Sequence, residues 1–144
     1  MAGREWSLVA FTLLAQMAVA LVLALGLVHV GALWALGAGL PEQSLAAPLG
    51  AGLVLLVLAA ACSLFHLGRP LGARRALANL RGSWLSREIL MLVGLGGGVL
   101  LLWCAVVARA GPPWFWSVLA AATAIFGVGL VASMARDVVV DMGW

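Results

Sequence analysis

The chain reads as four long apolar runs separated by short polar breaks. The first extends from about Leu8 to Trp34 and is interrupted only by Thr12, Gln16 and His29. The second covers Leu49 to Leu67 and ends in Gly68-Arg69-Pro70, a glycine and proline pairing that stops helices. The third spans about Glu88 to Ala108, with Ser86 as its expected N-cap and Glu88 in a first turn where the helix dipole favours an acid. Gly111-Pro112-Pro113 makes a turn, and the fourth run follows over about Phe115 to Ala135. Each run is close to the roughly 20 residues that carry a helix across a bilayer. The fold expected is all-α: an integral membrane bundle of four transmembrane helices forming a single domain over residues 1–144.

The connections are expected to differ. Gly37 to Pro48, with Pro41, Glu42 and Gln43, reads as a short loop. Leu71 to Arg87 interleaves Arg74, Arg75, Arg81 and Arg87 with Leu77, Leu80 and Trp84, the pattern of a short helix lying in the membrane interface. A cleaved signal peptide would need an apolar core of roughly 7–15 residues, and the first run is far longer. Gly94, Gly96, Gly97 and Gly98 resemble a phosphate loop only superficially, because no strand precedes them. Gly94 and Gly98 instead have the GxxxG spacing that lets another helix approach closely.

Composition agrees with this pattern and removes other classes. The chain is 65% hydrophobic and 9% charged, against roughly a quarter charged in soluble domains. Disorder would need low hydrophobicity and high charge. A pI near 10.2 comes from arginines clustered between apolar segments, so lipid headgroups or a docked protein, and not nucleic acid, are the expected partners. Four spans put both termini and the second connection on one side, with Arg4, Arg69, Arg74, Arg75, Arg81, Arg87 and Arg136; Arg109 alone is opposite. The positive-inside rule places the Arg-rich side in the cytoplasm.

Few residues are left to carry chemistry. Cys62 and Cys104 lie in separate apolar runs without CxxC or Cys/His spacing, so neither zinc nor an iron–sulfur cluster is expected on this chain. His29 and His66 fall at opposite membrane faces, roughly 25–30 Å apart, too far to share a haem. His29 reads as an interfacial histidine near the headgroups. His66 and Arg69 end the second span where Glu88 begins the third, and a titrating imidazole beside a carboxylate is suited to moving protons. Spacing alone leaves a structural alternative open, in which these side chains cap helices and meet headgroups. Gln16 is either interhelical glue or a donor to a buried ligand, with glue favoured. No acid lies mid-span, as a small homodimeric transporter would require.

Several motifs resemble the dimethyl sulfoxide reductase anchor subunits, a polysulfide-reductase-like membrane family. They are Glu5-Trp6 with Phe11-Thr12 and Gln16, then Phe65-His66-Leu67-Gly68-Arg69-Pro70, then Ser83-Trp84-Leu85-Ser86-Arg87-Glu88, and finally Ser133-Met134-Ala135-Arg136. The resemblance covers about residues 4 to 136. It implies an anchor that holds a molybdopterin catalytic subunit and an iron–sulfur electron-transfer subunit at the bacterial cytoplasmic membrane. It also implies oxidation of menaquinol without a haem or metal on this chain, in anaerobic respiration. The family's quinol-site histidine falls on His66 and its third-span acid on Glu88, with Arg69 and Gln16 as further quinol contacts. Members of this family have about eight spans, so this chain corresponds to the N-terminal half, and a second half of the anchor is an expected partner. A truncated or structural assembly protein without redox function is the alternative. In exported members the catalytic subunits face outside, which would put the Arg-rich connection outside and leaves its side open.

Overall fold

A computed structural model describes residues 2–67 and 84–141. The described residues form four helices: α1 (Ala2–Leu36), α2 (Glu42–Leu67), α3 (Trp84–Val107) and α4 (Pro113–Asp141). All four contain a stretch long and apolar enough to cross a membrane. The expected interfacial helix over Leu71–Arg87 falls, apart from its last residues in α3, outside the described residues, as do Arg69, Arg74, Arg75 and Arg81.

The helices form two hairpins, α1–α2 and α3–α4, packed side by side so that α1 also meets α4 and α2 also meets α3. Both hairpins turn through five residues, 37–41 and 108–112, at the same end of the bundle. The core is built from Ala15, Val22, Leu49, Leu95, Val99 and Leu130 with their neighbours. Most other large apolar side chains, including Trp6, Leu27, Trp34 and Val57, are exposed, as lipid contact demands.

Helix boundaries differ from the sequence reading in physically explicable ways. The expected loop Gly37–Pro48 is only half as long, because α2 starts at Glu42 and carries Pro48 inside it. Pro48 removes one backbone donor, yet a break here would expose several backbone groups to hydrocarbon, which costs more. Glu42 lies in the first turn of α2, where its charge meets the positive end of the dipole. Ser86 is not the N-cap of the third span: α3 begins two residues earlier, and Ser86 is fully buried within the helix. At the other end of the chain α4 continues past Ala135 to Asp141, since no glycine or proline intervenes before Gly143. Pro113 opens α4, the position where its fixed φ and missing donor cost nothing.

The two turns close by different means. Gly37 has φ +68° and donates to the Leu33 carbonyl, a left-handed cap natural to glycine. After α3 the same conformation is taken by Arg109, with φ +52°. Its N–H reaches Val106 O at 3.1 Å and the next N–H, of Ala110, reaches Ala105 O at 2.8 Å, the paired bonds of a Schellman motif. A non-glycine residue in this region costs about 1–2 kcal/mol.

The expected close approach at Gly94 and Gly98 is observed, and the neighbouring helix is α4. A Cβ on Gly94 would overlap the Phe126 ring, and one on Gly98 would come within 2.5 Å of Thr123 Oγ1. Gly96 and Gly97, between them, face open space. Gly94→Ala and Gly98→Ala are therefore expected to lower stability by about 1–3 kcal/mol through overpacking. Gly96→Ala and Gly97→Ala should instead be neutral or stabilising by up to about 1 kcal/mol. Unfolding of the purified variants in detergent measures the contrast.

Candidate functional site

At the end of the bundle away from the short turns, α2 ends and α3, its packed neighbour, begins. His66 is the penultimate residue of α2, and Glu88 is the fifth of α3. Their relative height follows from Trp103, whose indole N–H donates to Ala46 O at 3.1 Å and which lies against Gly50. From that level, α2 rises about 27 Å to His66 and α3 about 22 Å to Glu88 at 1.5 Å per residue. The two residues thus lie on packed neighbouring helices within about one helical turn in depth. Glu88 is half-buried and engaged in an interaction. The side chain of His66 and all of Arg69 lie outside the described residues. Gln16 is not part of this arrangement: its side chain is exposed on the outer face of α1, so it is not glue within this bundle.

The polar groups described in most detail lie at the opposite end. His29 is buried, at 3% exposure, and so does not face the headgroups as the sequence reading expected. Its Nδ1 accepts from the Leu40 N–H at 3.1 Å. The remaining ring proton then belongs on Nε2, which donates to Pro113 O at 3.2 Å. Its ring lies 6.1 Å from that of Trp116, whose indole N–H donates to Ala110 O at 2.8 Å. Gly39 covers the imidazole so closely that a Cβ there would overlap it. One side chain of α1 therefore holds the first turn and the start of α4 together. Next to it, Arg109 pairs with Glu42 and so joins the second turn to the start of α2.

These contacts are structural in kind. The apolar cavity beneath His29, walled by Leu25, Leu49, Val106 and Trp116, has a volume of about 20 Å³, too small for any organic ligand. Both imidazole nitrogens are already engaged. Sequence reading had no signal for the Trp103 and Gly39 contacts, which depend on α1–α2 and α2–α3 register. The Arg109–Glu42 pair was not anticipated either, although these are the charged residues adjoining the two short turns.

Among the described residues the charged groups lie at or near helix ends, no group of three or more His, Cys, Asp or Glu could hold a metal, and both cysteines are free. The fold defines a polytopic helical membrane protein whose candidate chemistry sits at one membrane face. Comparison with known proteins is specific: the model of the DMSO reductase anchor subunit (DmsC) family matches residues 1–140, and the chain belongs to this family. A 40-residue stretch is 55% identical to a sulfite dehydrogenase subunit from Allochromatium vinosum. That stretch is 28% of this chain and only 12% of the longer relative. No solved structure matches the chain.

Two stability outcomes follow from the short-turn end. His29→Ala is expected to lose about 2–4 kcal/mol, because it leaves the half-buried Leu40 N–H unpartnered, takes one of its donors from Pro113 O and opens a void. Thermal unfolding in detergent measures it, and Gly39→Ala should shift in the same direction by displacing the ring. For the exposed ion pair, a double-mutant cycle of Arg109→Gly and Glu42→Gln is expected to give a coupling below about 1 kcal/mol. Arg109→Gly alone is expected to be nearly neutral, since relief of the left-handed strain offsets the lost pair.

Proposed function

We propose that this anchor subunit oxidises menaquinol and passes the electrons to an iron–sulfur subunit of a molybdopterin oxidoreductase in the bacterial cytoplasmic membrane. What supports the reading is that the helix ending just after His66 packs against the helix that begins just before Glu88, in a chain of the anchor family. Menaquinol must lose two protons and two electrons to become menaquinone. The headgroup needs a proton acceptor at the membrane face, and the isoprenoid tail needs an apolar surface below it.

His66 accepts a quinol hydroxyl proton, an imidazole being the side chain that exchanges protons near neutral pH. Glu88 orients the imidazole or relays the proton towards water. Arg69 positions the headgroup or the docked partner protein. The two electrons leave one at a time to a cluster held by the iron–sulfur subunit, and this chain binds no haem or metal. Support for an apolar surface comes from the groove between α2 and α3, lined by Leu53, Val57, Ala60, Leu92, Val93 and Gly96, about 440 Å³ in volume and opening to the bilayer on the same helix pair. Gln16, directed outward from α1, takes no part in this step.

The test is menaquinol-dependent reduction of the iron–sulfur partner by the co-purified complex. His66→Ala is expected to slow it by at least about 100-fold, the usual worth of a positioned acid–base group, and Glu88→Gln by a smaller factor. Both variants should still co-purify with the partner. Unchanged electron transfer in His66→Ala would remove the proposed site, and failure of the wild type to co-purify with any iron–sulfur protein would remove the anchor role.

A further inference from the structure

Gln16 occupies an unusual environment for a carboxamide. It lies about 15 Å along α1 from Trp6 and about 27 Å from Trp34, both exposed tryptophans of the kind that mark membrane interfaces. That depth is within the hydrocarbon. The side chain is exposed and makes no hydrogen bond to any described residue. A carboxamide left in lipid without a partner costs several kcal/mol.

The same face of α1 continues into a groove. At 100° per residue, Gln16 shares one stripe with Ala20, Leu23, Leu27 and Trp34. On that stripe the surface between α1 and α4 is hollowed over two adjoining stretches of about 280 and 520 Å³, which share Val30 and Ser117. Its floor is made of small side chains, Gly26, Ala120, Ala121 and Ala124. Ser117 and Ala121, like Ala120 and Ala124, stand four residues apart, so a further helix can approach the backbone closely.

We infer that this face is an interface between two copies of the chain. A carboxamide both donates and accepts, so it is complementary to itself. A two-fold axis along the membrane normal sets Gln16 opposite Gln16 at one depth, where each amide donates to the other's carbonyl oxygen. The same axis lays α1 of each copy in the α1–α4 groove of the other. A lipid chain would fill the hollow but leave the amide unpaired. A second copy supplies both the helix for the groove and the polar partner for Gln16.

Disulfide trapping of the full chain in native membranes tests the interface, with Cys62→Ser and Cys104→Ser as background. Single cysteines at Ala20→Cys and Leu27→Cys are expected to oxidise to covalent dimers. Val57→Cys, on the exposed outer face of α2, is expected to remain monomeric. In uncross-linked membranes, Gln16→Leu should lower the dimer constant about eightfold or more, the worth of the two interhelical amide bonds lost from the symmetric pair. Gln16→Asn should recover part of the loss. Monomers at both stripe positions, or trapping as efficient at Val57 as at Leu27, would overturn the proposal, including the case in which a different helix or a quinol headgroup meets Gln16. No readout depends on electron transfer, so this outcome and that of the quinol site are separable.

Discussion

Hydrocarbon contains nothing for a peptide group to hydrogen-bond, and each of the four helices exists because of that deficiency. It explains why α2 runs through Pro48, tolerating one missing donor in place of an opened turn. It also explains where the polar side chains are. Thr123 and Ser133, buried in the bundle, fold back onto their own helix's carbonyls at 2.8 and 2.7 Å. His29, Trp103 and Trp116 donate to backbone carbonyls in the turn after α3 and in the first turns of α2 and α4. Among the described residues the charged groups therefore concentrate at the two ends, with Gln16 the polar exception within the hydrocarbon.

The two ends have separate characters. At the short turns, the imidazole of His29, two indoles and one ion pair connect all four helices, and every nitrogen of His29 is committed. Such an end holds shape. At the other end, α2 carries a histidine in its last turn and α3 an acid near its start. The quinol step proposed for that end would leave the connections that hold the bundle together undisturbed.

Four spans, their order and the Gly94–Gly98 contact were legible in the linear pattern, because apolar length and GxxxG spacing are local quantities. Boundaries were less so. Pro48 and the polar trio Pro41, Glu42 and Gln43 read as loop by local chemistry, and the bilayer overrode them. The environment of His29 was not legible, since its partners are backbone atoms of Leu40 and Pro113, and any residue type supplies a carbonyl. The direction of Gln16 was lost for a related reason: an almost wholly apolar helix has no polar face, so the pattern does not say which side turns inward. That His66 ends one span and Glu88 stands near the start of the next was readable, because both are local boundaries in the pattern.

The arrangement of His29 also bears on the order of assembly. Each hairpin has its own tight turn and its more extensive helix contacts within itself, so each can enter the bilayer as a unit before meeting the other. The bond from His29 in the first hairpin to Pro113 in the second can form only once the two have docked. The imidazole thus belongs, with the Trp103 indole and the Arg109–Glu42 pair, to the bonds that close the bundle on docking, and a chain halted before that step would hold two inserted hairpins with these donors still unspent.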